Sequence, residues 1–144
     1  MKVLFDTSVL VAAFVEAHPM HSRALPWLQG ARRKEFEFLV AVHTVAELYA
    51  VLTALPLKPR ISPANAQRLL EVNVEGSAVI IPLSVSDYTK IIKEVAKAGL
   101  AGGIVYDALI VAAARKANVD RLLTFNASDF VSIWPQGKDR ISMP

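Results

Sequence analysis

Four short apolar runs, at residues 2–5, 36–42, 78–83 and 121–125, constrain this chain more than any other feature. Each is β-prone, and each is set off from the next by segments of helical pattern. Such alternation feeds parallel strands through helical crossovers, which leave helices packed on both sheet faces. The expected architecture is α/β, a three-layer α/β/α sandwich around a four- or five-stranded parallel sheet. An additional edge strand is expected around Ile133 and Trp134, limited by Pro135. A chain of 144 residues fits one domain, and at that size folding buries roughly 68 to 70% of the unfolded surface, enough for a core without staples.

The helical segments carry their own punctuation. Thr7 and Ser8 offer N-caps to a helix over residues 9–15 that is apolar all round. Residues 22–33 suit a second helix, which Pro26 either interrupts or opens from its first turn. Thr44 begins a helix over 44–55 that Pro56 and Pro59 stop, and Ser62-Pro63 begins another over 62–72. Residues 86–98 form a helix with Lys90, Lys93 and Lys97 on one face. Gly99, Gly102 and Gly103 read as stop and turn, since they lack the G-x-G-x-x-G spacing of a dinucleotide site. A helix from Ile104 then ends at Asn118.

There is no cysteine, which excludes disulfides, cysteine-ligated zinc and thiol nucleophiles and fits a reducing cytoplasm. Neither a Gly-x-Ser-x-Gly elbow nor a P-loop occurs. Mean hydropathy is high at +0.38. Every apolar run is nevertheless shorter than the 18 or so residues of a membrane span, and the N-terminus lacks the basic region of a cleavable signal. The chain is therefore expected to be soluble, unexported and cytoplasmic. The net charge is +3 and the sequence pI near 9.3. With several acids held in one site, the remaining surface is more basic than that total, which suits either a polyanionic partner or ordinary solubility. The cluster Arg32, Arg33, Lys34 and the three-lysine face have the same two readings, solvent or a phosphate backbone. His18 and His21, around Pro19, read as turn residues rather than zinc ligands because no third ligand stands nearby.

Four acids carry the chemistry. Asp107 has Ile104, Ile110, Val111 and Ala114 as its helical neighbours. An isolated buried carboxylate is very costly, so Asp107 either lies on a thin polar edge, takes up a proton, or finds a cation. Asp6 closes the first strand, where a helix-dipole or capping role is the alternative to a functional one. Glu47 follows Thr44 at capping-box spacing, so capping and metal ligation both remain open for it. Asn126, Ser128 and Asp129 follow the last long apolar run, where open α/β sheets bind ligands outside the carboxyl ends of their strands. A parallel sheet can gather Asp6, Glu47, Asp107 and Asp129 at one edge. Four acids together repel unless a hard divalent cation sits among them, and all-oxygen ligation selects Mg²⁺ or Mn²⁺ over zinc.

In these positions the chain resembles the PIN-domain ribonucleases, and among them the VapC-type toxins of toxin–antitoxin modules. The resemblance runs over nearly the whole chain and rests on four stretches in order. These are Asp6-Thr7-Ser8, Glu47 inside an apolar helix, Tyr106-Asp107-Ala108, and Thr124-Phe125-Asn126-Ala127-Ser128-Asp129-Phe130. It implies a PIN-like fold, with Asp6, Glu47, Asp107 and Asp129 as catalytic, metal-binding acids and Ser8, Thr124 and Asn126 in support. Position 126 is often Asp in the family, so Asn126 removes one possible charge. The activity implied is Mg²⁺- or Mn²⁺-dependent hydrolysis of RNA phosphodiester bonds by a metal-bound water, leaving a 5′-phosphate and a 3′-hydroxyl. The partners implied are RNA, a VapB-type antitoxin that blocks the acidic groove, and a second copy in a homodimer. One alternative is a catalytically weak PIN-like module that binds RNA or protein. Another is a receiver-like phosphotransfer domain, which calls for paired acids after the first strand, and Asp6-Thr7 lacks the pair.

Overall fold

The computed structural model describes residues 1–144. Five strands, β1 (Lys2–Phe5), β2 (Glu37–Ala41), β3 (Val79–Ile81), β4 (Arg121–Leu123) and β5 (Ile141–Ser142), form one sheet in the order β3-β2-β1-β4-β5. Every pairing is parallel, with Leu4 opposite Leu39 on one side and Leu122 on the other. The expected α/β sandwich is borne out.

Seven α-helices cover the sheet: α1 (Thr7–Phe14), α2 (His21–Arg32), α3 (Val42–Ala54), α4 (Pro63–Leu70), α5 (Val85–Lys97), α6 (Ile104–Ala117) and α7 (Ala127–Ile133). Strand side chains alternate between faces, and the core divides accordingly. Val3, Phe5, Phe38 and Val40 pack with Val9, Leu10, Leu28, Leu48, Leu52 and Leu70 from α1 to α4. Leu4, Leu39 and Leu122 face the opposite layer, against Ile110, Val111 and Ala114 of α6, Phe130 of α7 and Trp134. Helix α5 joins that layer through Ile91, which clusters with Ala108 and Leu109.

Several local expectations change. Helix α1 starts at Thr7 with Asp6 at the N-cap, so Thr7 and Ser8 are inside the helix rather than capping it. Helix α2 runs through Pro26 without ending there. Strand β2 stops at Ala41 and α3 follows at once, which places Thr44 in its first turn with no side-chain cap at Ala41. The capping box that the Thr44 and Glu47 spacing left open is therefore absent. One forms instead on α5, where Ser84 Oγ accepts from Asp87 N at 3.1 Å and Asp87 Oδ2 accepts from Ser84 N at 2.8 Å. Ile133 ends α7, and Trp134 precedes a 3₁₀ turn at Pro135–Arg140, so the edge strand lies at Ile141–Ser142 and not around Ile133. The turn reading of the glycines holds, with φ of +70° at Gly99 and +74° at Gly102, and Asn118 ends α6 in the left-handed region at φ 49°.

Candidate active site

The strand order reverses at β1, since β2 and β3 extend the sheet one way and β4 and β5 the other. Open α/β sheets leave a crevice at such a point, at the carboxyl ends of the diverging strands. Asp6 stands at the end of β1 and Thr124 at the end of β4, joined by Asp6 N donating to Leu123 O at 2.9 Å.

Asp6 is almost fully buried, with 3% of its surface exposed. Its Oδ2 accepts from Ser8 Oγ at 2.6 Å and from Thr124 Oγ1 at 2.8 Å. Those hydroxyls are fixed in turn, because Ser8 Oγ accepts from Phe125 N at 3.1 Å and Thr124 Oγ1 from Asn126 N at 2.9 Å. Burial pushes the Asp6 carboxyl above its usual range, and the Ser8 and Thr124 hydroxyls with the Thr7 and Ser8 amides oppose that shift. Ser8 and Thr124 thus orient one carboxylate from two elements distant in sequence. Asn126 contributes its backbone N–H, and its side chain makes no hydrogen bond.

Asp107 sits in the first turn of α6, half-buried. Burial, and then the charges of Asp6, Glu47 and Asp129, push its carboxyl from 3.8 up to about 7. All four acids therefore share one electrostatic environment, although they arrive from a strand end and three helices. Asp129 is exposed in the first turn of α7 rather than in a loop. A cavity of about 350 Å³ is lined by Asp6, Ser8, Glu47, Asp107 and Asn126, and Asp129 stands outside its lining. His18 also lines it and had been read only as a turn residue; its Nδ1 does accept from Met20 N at 3.0 Å. Nothing in the sequence around Pro19 signals that this turn folds back over the first strand's end.

Glu47 points partly elsewhere. Its Oε2 lies 2.9 Å from His43 Nε2, one turn earlier on α3, and the His43 ring stacks on Tyr106 with centroids 4.8 Å apart and planes 6° from parallel. The close approach of His43 and Glu47 is not aligned as a hydrogen bond, and both atoms are buried without another partner. The distance defines an electrostatic contact; the poor angle leaves both polar atoms unsatisfied. As they stand, no three acidic or histidine side chains converge closely enough to hold a metal ion. The donor set is nonetheless all oxygen, Glu47 has an orphaned buried oxygen, and Asp107 bears the repulsion of three neighbours. These residues fit a hard divalent cation.

The comparisons agree with the geometry. A family model described as the PIN domain matches residues 3–132. This chain belongs to the PIN-domain family. Among its relatives, Ribonuclease VapC27 of Mycobacterium tuberculosis is 37% identical over 109 residues, covering 76% of this chain and 74% of the relative. Two solved PIN-domain folds superpose closely. VapBC2 from Rickettsia felis, bound to a promoter DNA fragment, has a TM-score of 0.68 at 21% identity and covers 100% of this chain and 99% of the other. VapC20 of Mycobacterium tuberculosis, a toxin that cleaves the sarcin–ricin loop, has a TM-score of 0.70 at 13% identity, covering 90% and 94%.

Proposed function

We propose that this chain, acting as one PIN domain over residues 1–144, is the endoribonuclease toxin of a VapBC-type toxin–antitoxin pair. The observation that carries the reading is the gathering of Asp6, Glu47 and Asp107 around one cavity at the switch point of the sheet, with Asp129 near enough for its charge to act on Asp107. Kinship with a named ribonuclease at 37% identity supports RNA as the substrate. Divalent metal is the family's general requirement, and the all-oxygen donor set favours Mg²⁺ or Mn²⁺ for this chain.

Asp6, Glu47, Asp107 and Asp129 are the residues that would hold the cation. When bound, it supplies Lewis acidity, lowering the pKa of an attacking water and stabilising charge on the phosphate and the leaving oxygen. The chain's own contribution is positional. Ser8 and Thr124 fix the Asp6 carboxylate, and Asn126 adds a polar but uncharged side chain to the cavity lining. Hydrolysis then leaves a 5′-phosphate and a 3′-hydroxyl. A VapB-type antitoxin is the proposed partner, in keeping with the two-component VapBC2 assembly that shares this fold. A homodimer in the cytoplasm is the proposed state, and no helix is long and apolar enough to cross a membrane.

Purified protein incubated with single-stranded RNA, with Mg²⁺ or Mn²⁺ and then with EDTA, tests the proposal. Metal-dependent cleavage that Asp107→Asn abolishes is expected. Cleavage indifferent to EDTA would sink the metal-site reading.

A further inference from the structure

We propose that Tyr106 is a stacking platform for an RNA base adjacent to the scissile phosphodiester. The inference rests on the ribonuclease reading of the neighbouring cleft. Tyr106 is half exposed, at 50%, although the residue after it is Asp107, which lines the acidic cavity. One face of its ring is already taken by His43, at 4.8 Å and within 6° of parallel, and His43 in turn meets Glu47. The ring is thus stacked on a residue touching one candidate ligand that lines the cavity, Glu47, while its own chain neighbour, Asp107, is another.

Half of the Tyr106 surface is left open to solvent. Gly102 and Gly103 precede α6 and have no side chain to lay over it; a Cβ at Gly103 would sit 3.9 Å from Tyr106 Cδ2, and one at Gly102 would meet nothing within 4 Å. Tyr106 makes no side-chain hydrogen bond, and its aromatic partner is His43. An exposed aromatic that is fixed on one face and open elsewhere is what single-stranded RNA uses, because every base has a π-face and stacking tolerates sequence. A phosphodiester drawn to the acids through a cation brings its flanking base within a nucleotide's reach of this ring. His43 acts here as a positioning residue, and Tyr106 touches the substrate.

The test uses the full-length protein, Mn²⁺ and a fluorescein-labelled single-stranded RNA of mixed sequence. After the cut is mapped on the wild type, a second RNA carries an abasic nucleotide beside it. Tyr106→Ala should raise KM by roughly 5- to 150-fold, the range expected for loss of one base–aromatic stack, with kcat affected far less. Tyr106→Phe and Tyr106→Trp should restore KM. The abasic RNA should raise the wild-type KM to that of Tyr106→Ala and leave the variant's own KM unmoved. Mn²⁺-induced thermal stabilisation should match in all variants, which separates base contact from distortion of Asp107. A KM for Tyr106→Ala within twofold of wild type, or equal sensitivity of both proteins to the abasic RNA, overturns the proposal. So does a KM loss that tracks dissociation of a dimer in sedimentation, which would assign Tyr106 to a contact between copies. If the wild type neither binds nor cuts RNA with metal, the ribonuclease reading itself fails and takes this inference with it.

Discussion

Asp107 concentrates the chemistry of the cleft in one titration. Its carboxyl is held near 7 against an ordinary 3.8, so the charged form is disfavoured in the folded, metal-free protein. Below pH 3.8 folded and unfolded chains both carry the proton and no penalty exists; between 3.8 and about 7 the unfolded chain loses its proton first; above 7 the penalty is complete. Asp107→Asn removes it. In EDTA, the variant's melting temperature should therefore exceed wild type by a margin that grows as the pH rises from about 4 to about 8 and vanishes at the acid end. A margin that shrinks with pH, or a loss above roughly 2 kcal/mol at neutral pH, would mean that Asp107 is half of a structural pair instead. Glu47 calls for a different comparison. With no capping box at α3, Glu47→Gln should reduce cleavage by orders of magnitude while leaving the melt nearly unchanged. Its companion Thr44→Ala should do the reverse. Thr44 is fully buried and bonded to Thr7 Oγ1 at 3.1 Å, so losing it costs about 1 kcal/mol or somewhat more in the melt but spares cleavage.

At the scale of elements, most of the fold was legible because its signals are local. Runs such as 2–5 and 121–125 are short, apolar and bounded by polar residues, and all four expected strands form near those places. Asp107 was legible as a site candidate because a carboxylate against apolar neighbours is costly anywhere, and Asp6 because it closes a strand that leads into a buried helix. What sequence could not show was where an element begins when two readings share the same residues. The Thr44-x-x-Glu47 spacing satisfies a capping box only if the helix starts at Thr44, and the direct passage from Ala41 into Val42 moves the start by two residues. Pro26 likewise breaks helices in general, yet α2 accommodates it at an exposed position. The misplaced edge strand has a packing cause. Trp134 is apolar enough to read as strand, but it is drawn into the core beneath the 3₁₀ turn, where a Cβ added at Gly137 would fall within its ring. Gly137→Ala should accordingly destabilise by about 1 to 3 kcal/mol, measured by denaturant unfolding. Ser84→Ala, which removes the box that α5 does possess, should cost about 1 kcal/mol without affecting RNA cleavage.

For the whole molecule, a cation that binds only the folded state adds RT ln(1 + [L]/Kd) to its stability. At one hundred times Kd that is about 2.7 kcal/mol, or a rise of roughly 5 to 10 °C in Tm for a chain of this length. Calorimetry with Mg²⁺ or Mn²⁺ should show that rise and EDTA should reverse it; an unchanged Tm would count against a metal among these acids.

The reversal of strand order at β1 also governs when the molecule becomes dangerous. Asp6 receives the hydroxyl of Thr124, 118 positions later, and β4 must slot beside β1 before the two can meet. A growing polypeptide carries Asp6, Glu47 and Asp107 before Thr124 and Asp129 are made, and the β5 strand that flanks β4 follows them. Three of the four acids thus wait, unassembled, until β4 has been made and has paired with β1. A polypeptide ending at residue 120 should show no cleavage with any divalent ion, and restoring residues 121–144 should bring activity back. The cleft proposed to cut RNA is thus completed only when both sides of the sheet have closed on β1, and not when its first acids appear.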